Sequence, residues 1–464
     1  MPHARLAIRL SVFLGLFAAI ASACDGAAPL EAPDAPDGGR DAESPPERVA
    51  CDALRPPVVM AHGFLAAGDT WAALAQRLAS NGDCPNRLFA FDWNPFERDA
   101  AITALDAFVT RVLAETGATT VQLVGHSAGG SLGYAFLADP TRAARVSHYV
   151  HVGSSPTPVE GAPPGPAGPP ASLVPTLNLW STGDTVVPGA DIPGATNVRL
   201  EGLDHYEVAT SAASFAAIHA HLRGASPATD ARDAAPFTVP GPRSVSGKAL
   251  ALGDNAPAAS WEVAVWEVSA EAGTRLGSRP VANATVADDG AFGPFLLRSG
   301  VPHEFHLTGP TASDRAIHYY REPFMADDHH VYLRVLPRPD TLVGLLFNSV
   351  TFSERSPLVI AFASSRAVLA GRDSLVVDGE ELATEAFAAP ERTAIAWFLY
   401  DDGDDGRPGG AIDAFSSMPA FLAAVDRVYP TSAGPSLALS LNGRTLRVPR
   451  WAAATDGATV VIFD

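Results

Sequence analysis

The sequence is short of positive charge, of cysteine and of long hydrophobic runs. Its 464 residues contain 32 Lys and Arg against 51 Asp and Glu, which gives a formal charge of −19. Because nucleic acid and anionic membrane surfaces repel such a chain, we expect neither as a partner. The apolar run from Leu10 to Ala21 is too short to span a bilayer comfortably.

Residues 1–23 have the features of a signal peptide. Arg5 and Arg9 precede the apolar run, and residues 21–23 (Ala-Ser-Ala) form a small-residue cleavage site. The next residue, Cys24, resembles the lipid-acceptor cysteine of bacterial lipoproteins. The sequence therefore predicts export, either as a cell-envelope lipoprotein with Cys24 as lipidation site or as a free extracellular protein.

Residues 24–48 are rich in Pro, Asp, Ala and Gly and contain almost nothing large to bury, which predicts a flexible tether. If Cys24 is lipidated or removed, only Cys51 and Cys84 of the 3 cysteines remain. In an oxidising compartment these two are expected to form a disulfide, and two unpaired thiols are the alternative.

A chain of this length usually needs more than one hydrophobic core. We predict a first domain over 49–225, a linker over 226–242 rich in Ala, Ser, Asp, Thr and Pro, and a β-rich region over 243–464. In the first domain strands alternate with helices, which predicts an α/β fold with a mainly parallel sheet covered on both faces. The predicted strands are 57–61, 87–93, 121–124, 146–152, 174–180 and 197–201, and the main helices are 70–81, 99–116 and 208–222.

The stretch from Val121 to Ser131 carries the strongest chemical signal. A strand-like segment runs into Gly125-His126-Ser127-Ala128-Gly129, and an apolar helical pattern follows at once. This arrangement is typical of a nucleophile elbow, in which a serine occupies a strained turn and is exposed to substrate. The flanking glycines are needed because a Cβ there would collide with the neighbouring strand or helix. We predict Ser127 as a nucleophile supported by its neighbours Gly125, His126 and Gly129.

A serine hydroxyl becomes a good nucleophile only when an imidazole accepts its proton and an acid orients the imidazole. In a parallel sheet such groups gather at the carboxyl ends of the strands. Asp184 and His205 each follow a predicted strand, so we predict Asp184 as the acid and His205 as the base.

Each of these two assignments has alternatives in the sequence. His126 is a weaker candidate for the base, because its side chain is expected to point away from the serine hydroxyl. Asp204 and Asp191 are the other acids, although Asp204 is adjacent to His205 and cannot easily turn toward the same ring. Asp184 could also serve only as a turn or helix-cap residue.

An oxyanion intermediate needs two backbone N–H donors. One is expected from Ala128, the residue after the nucleophile, and the other from Phe64 in the loop after the first strand. His62 and Gly63 in that loop are predicted to support it, the histidine by packing or hydrogen bonding and the glycine by permitting a close turn.

Together, His62-Gly63-Phe64, Gly125 to Gly130, Ser181 to Asp184 and Asp204-His205 resemble the small bacterial lipases and esterases of the α/β-hydrolase superfamily. The resemblance covers about residues 52–224. A lipase body followed by a β-rich tail also looks like an archaeal two-domain long-chain lipase. The resemblance implies a minimal, six-stranded hydrolase that cleaves carboxylic esters through an acyl-enzyme without a metal or other cofactor. The segment Pro156 to Pro170 could cover the site or be an irregular surface loop.

The region after residue 242 changes to a strand pattern. Trp261 to Val268 alternates by twos, and hairpin signals occur at Asp378-Gly379 and Asn442-Gly443. We predict an antiparallel sandwich or barrel, with a division into modules 243–338 and 342–464 as an option. Further strands are predicted at 292–297, 331–335, 358–362 and 394–400, and one helix near 420–428.

Two clusters of this tail contain candidate metal ligands. Asp401, Asp402, Asp404 and Asp405 could form a calcium loop, but a solvated acidic turn is favoured, because no bidentate glutamate follows at the required spacing. The second cluster, Asp327 to His330, is also disfavoured, since adjacent histidines in a strand point to opposite faces. We therefore expect no metal site.

These patterns predict an exported serine ester hydrolase, with lipase as the first choice and short-chain esterase or polyester hydrolase close behind. An amidase, thioesterase or acyltransferase would use the same residues. A noncatalytic surface lipoprotein with an adhesive tail is the competing class. The tail is expected to widen the acyl-chain groove, to hold a lipid or polymer surface, or only to stabilise the protein, which we expect to be a monomer.

Overall fold

The computed structural model describes residues 51–157, 167–169, 173–233, 241–412, 415 and 421–464. The predicted signal peptide, Cys24, the tether, most of the 156–170 segment and part of the linker lie outside these residues. No helix within the described ranges is long and apolar enough to cross a membrane.

A six-stranded parallel sheet forms the first part of the chain, in the order β2-β1-β3-β4-β5-β6. Its strands are β1 Val58–Ala61, β2 Leu88–Phe91, β3 Val121–His126, β4 Val146–Val152, β5 Thr176–Ser181 and β6 Thr196–Leu200. Its helices are α1 Ala72–Ala79, α2 Arg98–Thr116, α3 Ala128–Leu137, α4 Pro140–Ala143, α5 Glu207–Thr210 and α6 Ala212–Arg223, with 3-10 turns at Gly68–Trp71 and Pro85–Arg87.

Alternate residues of β1 enter two different hydrophobic clusters, one on each face of this sheet. Val59 packs with residues of α2 and α3, whereas Val58 packs with residues of α1 and α6. Both faces of a parallel sheet are therefore covered, as the alternation of elements predicts. The predicted helix 208–222 is instead two helices, because Ser211 adopts an extended backbone and its side chain caps α6 by accepting from the N–H of Ser214.

The start of the described chain is attached to this body by several contacts. Cys51 and Cys84 form a disulfide. Beside it, Asp52 forms a β-bridge with Asp83, and the guanidinium of Arg55 lies 2.8 Å from the Asp83 carboxylate.

The described residues of the β-rich region form three sheets, in the orders β10-β7-β13, β18-β17-β14-β21-β12-β11-β8-β9 and β16-β15-β19-β20. The strands are β7 Arg243–Ala251, β8 Glu262–Glu267, β9 Ala282–Thr285, β10 Ala291–Leu297, β11 His303–Thr308, β12 Ile317–Arg321, β13 Asp328–Val335, β14 Leu358–Ala363, β15 Leu375–Val377, β16 Glu380–Glu381, β17 Ala396–Tyr400, β18 Leu422–Asp426, β19 Ser436–Leu441, β20 Arg444–Pro449 and β21 Ala458–Phe463. Among the described residues, the helices α7 Leu342–Phe347 and α8 Ala453–Asp456 and 3-10 turns at Pro390–Arg392, Asp402–Asp404 and Thr431–Ala433 connect them.

The eight-stranded sheet is the middle layer of a sandwich. Val460 of β21 packs in a core shared with the three-stranded sheet, while Val461 packs in a second core shared with the four-stranded sheet. Strand β21 pairs with both β12 and β14, so strands from 243–338 and 342–464 share one sheet. The division into domains and modules stays a prediction, and the described residues from Cys51 onward belong to one compact unit.

Two predictions for this region are wrong. The sheets are mixed and not antiparallel throughout, because β21 lies parallel to both of its neighbours and β18 is parallel to β17. The predicted helix near 420–428 is strand β18, since the ladder with β17 and burial of Leu422 and Val425 outweigh the helix propensity of the intervening alanines. Both hairpin turns lie where they are predicted, between β15 and β16 and between β19 and β20.

Candidate active site

Ser127 occupies a tight turn between β3 and α3. Its backbone is left-handed, with φ 53° and ψ −122°, a conformation that costs energy for a residue with a side chain. A Cβ at Gly125 would lie 2.5 Å from the carbonyl oxygen of Gly129, and a Cβ at Gly129 would lie 2.3 Å from that of Ala61. Glycine is therefore required at both positions, and the turn presents Ser127 to the cavity described below.

The side chains of Asp184 and His205 form a buried pair. Asp184 follows β5 and His205 follows β6, and the imidazole Nδ1 lies 2.7 Å from Asp184 Oδ2. The other oxygen, Oδ1, accepts from the N–H groups of Val186 and Val187, each at 2.9 Å. These contacts orient the carboxylate so that His205 Nδ1 donates to it, which leaves Nε2 as the free acceptor.

Nε2 of His205 is buried and has no hydrogen-bond partner in the described chain. Ser127 and His205 line the same cavity, but no hydrogen bond joins them in this structure. The structure thus brings the three predicted residues to one edge of the sheet and pairs two of them directly.

His126 is held in a different role from that of His205. Its Nε2 donates to the backbone carbonyl of His205 at 2.8 Å, and the two rings are 4.7 Å apart. Burial, reinforced by the neighbouring His205, holds the pKa of His126 well below its usual range. The neutral His126 ring is hydrogen-bonded to the carbonyl of His205 and so supports the position of that residue.

The two alternative acids lie away from the His205 imidazole. Asp204 Oδ1 accepts from the N–H groups of Tyr206 and Glu207, while its Oδ2 accepts from Arg372 and from the N–H of Ala367 in the β-rich region. Asp191 accepts from the indole N–H of Trp180 at 3.0 Å. Asp204 therefore joins the two parts of the chain, and neither residue contacts the imidazole.

Two backbone N–H groups are available near Ser127. Neither Phe64 nor Ala128 donates its N–H to an acceptor among the described residues. Ala128 begins α3, and Phe64 lies in the loop after β1. Close to them, a Cβ at Gly63 would be 3.1 Å from the Ser127 Cβ, so glycine allows the loop to approach the serine.

His62 is fully buried beneath this loop. Its Nδ1 donates to the carbonyl of Gly63 at 2.8 Å, and its Nε2 accepts from the N–H of Trp93 at 3.3 Å. Burial lowers the pKa of His62. It therefore acts as a neutral, hydrogen-bonded support.

A partly open cavity of about 100 Å³ is lined by Ser127 and His205. The β-rich region forms most of its wall, mainly with aliphatic and aromatic side chains such as Leu252, Phe347 and Val460. The ring of Phe421 stacks on the imidazole of His205, with centroids 5.7 Å apart and planes at 29°. Sequence reasoning did not find these residues, because nothing in the local pattern marks which strands cover the serine.

The carboxylates of the two clusters that are disfavoured as metal sites make other contacts. The Asp401 carboxylate accepts from the N–H groups of Asp405 and Gly406, and Asp404 contacts Ser353 and Arg355. The carboxylates of the Asp327–His330 segment accept from backbone N–H groups. Within the ranges that the structure describes, no group of three or more His, Cys, Asp or Glu is placed to hold a metal ion.

Family models match two parts of the sequence. Residues 56–170 match the model of the α/β hydrolase fold, and residues 241–339 match that of the lipase C-terminal domain.

Several solved structures are similar to part of the chain. Lipase B of Aspergillus fumigatus aligns at 11% identity and a TM-score of 0.29 over 39% of this chain and 56% of the fungal one, so this chain spans little more than half of that lipase. A mature lipase of Bacillus licheniformis aligns at 15% identity and a TM-score of 0.28, over 38% of this chain and 95% of its own. An esterase of Thermogutta terrifontis aligns at 16% identity and a TM-score of 0.30, over 38% and 91% of the two chains.

The parallel sheet, the serine turn and the family matches agree on the architecture of the chain. A hydrolase fold followed by a lipase-type second region supports an ester hydrolase. The chain thus has an α/β-hydrolase fold followed by a β-rich region, of which residues 241–339 match the lipase C-terminal domain.

Proposed function

We propose that this protein hydrolyses carboxylic esters with long acyl chains through a serine acyl-enzyme. The observation that carries the proposal is the buried Asp184–His205 pair, whose free Nε2 shares a cavity with Ser127 on its strained turn. A serine, an imidazole and an orienting carboxylate at one sheet edge are the groups that acyl transfer requires.

In the proposed reaction Ser127 Oγ attacks the ester carbonyl carbon while its proton passes to His205 Nε2. Asp184 stabilises the resulting imidazolium, and the N–H groups of Phe64 and Ala128 bind the oxyanion. The tetrahedral intermediate then collapses, and His205 donates the proton to the departing alcohol. A water molecule attacks the acyl-enzyme by the same steps and releases the acid, so these groups suffice without a metal or cofactor.

This mechanism requires Ser127 Oγ to come within hydrogen-bond distance of His205 Nε2. Catalytic hydrogen bonds are often long or absent in unliganded enzymes and tighten when substrate binds. The position of Nε2 supports this view, because no other donor of the described chain bonds it and it faces the cavity that Ser127 lines.

The lining of the cavity supports long acyl chains as the substrate class. Leu252, Phe347 and Val460 belong to the β-rich region and present apolar surface to the cavity that contains Ser127. Burial of each methylene of an acyl chain contributes about 0.8 kcal/mol to binding. A long chain would thus gain several kcal/mol that a short ester lacks.

Export is part of the same proposal. The Cys51–Cys84 disulfide supports an oxidising compartment, since such bonds are rare in the cytosol. If the protein is a lipoprotein, Cys24 carries the lipid. We propose that the protein is a monomer and that it binds a water-insoluble ester or a polymer surface.

The test is hydrolysis of p-nitrophenyl esters of rising acyl length by the wild type, by Ser127→Ala and by the matched control Ser131→Ala. We expect hydrolysis by the wild type and the control, with kcat/KM rising with chain length, and no hydrolysis above background by Ser127→Ala. A phosphonate inhibitor should label Ser127, as mass spectrometry of the digested protein would show. Undiminished turnover by Ser127→Ala would refute the serine mechanism, and turnover of thioesters or amides alone would refute the substrate class.

A further inference from the structure

The side chain of Asn255, in the β-rich region, reaches into the hydrolase body at the loop that follows β1. We define the oxyanion loop as His62–Gly68. The Asn255 amide donates from Nδ2 to the carbonyl oxygens of Ala66 at 2.9 Å and Trp93 at 3.0 Å, and the same nitrogen lies 3.3 Å from His62 Nε2. Asn255 is 6% exposed, so these bonds are shielded from water.

A local turn after β7 directs this side chain. Asn255 has a φ of 56°, in the left-handed region that Asn adopts more readily than most residues. Its N–H donates to the carbonyl of Ala251, and the neighbouring Asp254 carboxylate accepts from the N–H of Ala256. The turn is thus closed by its own hydrogen bonds, and the Asn255 amide is held toward the loop.

The other end of the oxyanion loop is held by hydrogen bonds to Asp92. This carboxylate accepts from the N–H of Gly68 at 3.0 Å and also from Tyr332 Oη and from Nζ of Lys248, the only lysine in the sequence, at 2.9 Å each. A Cβ at Gly68 would lie 2.1 Å from the Tyr332 hydroxyl, so the loop and the β-rich region are in direct contact here.

Apart from the bond between His62 Nδ1 and the carbonyl of Gly63, few contacts within the loop fix its shape. Residues 62–67 lie outside helices and strands, and Leu65 has a φ of 58°. The one backbone bond within the loop, from the N–H of Ala66 to the carbonyl of Gly63, is long at 3.4 Å. External contacts must therefore decide where the N–H of Phe64 points.

We propose that Asn255 is a positioning residue that fixes the Phe64 N–H of the oxyanion hole. The C-terminal region then contributes to the chemical step itself, and not only to the binding of an acyl chain. This inference rests on the proposed ester hydrolysis.

The test uses the full chain with Asn255→Gly and Asn255→Asp. Glycine tolerates the left-handed backbone and removes the amide, whereas aspartate keeps the shape and loses the two N–H donors. For both variants we expect kcat to fall by about 10- to 100-fold with little change in KM, by the same factor on short and long esters. Affinity for an alkyl boronic acid, whose serine adduct mimics the tetrahedral intermediate, should weaken by a similar factor.

Asn283→Gly and Asn283→Asp are the matched controls, because Asn283 lies exposed on β9. They should leave kcat and boronate affinity unchanged. The proposal is overturned if the Asn255 variants keep the wild-type kcat. It is also overturned if the fall in activity grows with acyl length or results from a higher KM. Failure of both variants to fold would also overturn it, since Asn255 would then serve folding. The proposed ester hydrolysis is tested separately, by comparing the wild type with Ser127→Ala.

Discussion

The ring of Phe421 lies on the imidazole of His205, 5.7 Å between centroids, although 216 positions separate them in the sequence (421 − 205). Phe421 has a φ of 81°, which is rare for a residue with a bulky side chain. Strain of this kind persists only where surrounding contacts impose it, and it is often found at functional sites. One aromatic residue of the second region is therefore held against the proposed base.

Replacement of Phe421 by Ala should lower kcat by up to about tenfold, because an aromatic contact of about 0.5–1.5 kcal/mol that restrains His205 is lost. Steady-state kinetics with a short ester would measure it. Phe387→Ala, at a half-buried position in the core of the second region, is the control and should affect stability alone. Equal kcat values for Phe421→Ala and the wild type would contradict a role in holding the imidazole.

Mutation should distinguish the role of Asp184 from that of Asp204. Asp184→Asn should reduce kcat by as much as about 10⁴-fold, since the amide no longer holds His205 in the required tautomer. Asp204→Asn should instead lower the free energy of unfolding by about 1–3 kcal/mol, because Arg372 loses a charged partner. Kinetics and chemical denaturation of both variants would check this, and the reverse pattern would assign the acid to Asp204.

A bulky residue in the cavity wall should change substrate preference. Leu252→Trp would fill space in the cavity that Phe347 and Val460 also line, so kcat/KM for long-chain esters should fall by about tenfold while short esters are unaffected. Leu296→Trp, at a position that is 73% exposed, is the control. A uniform loss over all chain lengths would place the acyl chain elsewhere.

Acid should destabilise the fold before its carboxylates are protonated. Burial lowers the pKa of His151, His303 and His306 to about 4, while histidine in an unfolded chain titrates near 6.5. Between these values the unfolded chain takes up protons that the folded chain does not. Stability should therefore be full above pH 6.5 and fall toward pH 4, by about 1–3 kcal/mol for each residue.

Thermal unfolding between pH 8 and pH 4 would measure this slope. In His303→Phe, which places an apolar ring beside Phe324, the slope should be smaller. An unchanged slope in that variant would show that His303 does not contribute.

Removal of the disulfide should affect stability and not the reaction. The Cys51→Ser and Cys84→Ser double variant should lose about 2–4 kcal/mol of stability, because the 33-residue separation is no longer closed by a covalent bond. Neither cysteine is among the residues that line the cavity. Differential scanning calorimetry with and without reductant would show the loss, and a large fall in kcat at low temperature would contradict it.

The sequence was most informative at turns whose backbone geometry requires particular residues. The Gly125–Gly129 turn needs glycine on both sides of Ser127, and the strand and helix around it follow from hydrophobic spacing. The hairpins at Asp378-Gly379 and Asn442-Gly443 are likewise local, since the turn residues alone decide them. The local pattern predicts one helix over 208–222 and another near 420–428, but a serine cap divides the first and pairing with a neighbouring strand makes the second a strand.

By itself the sequence determined the α/β fold of the first part, the serine turn and the strands that Asp184 and His205 follow, because these depend on short-range spacing and backbone sterics. Only the tertiary structure decided that Asp204 pairs with Arg372, that Phe421 covers His205 and that Asn255 reaches the oxyanion loop. Those contacts join residues more than 150 positions apart. They depend on how the β-rich region packs against the hydrolase body, and no local sequence pattern encodes that packing.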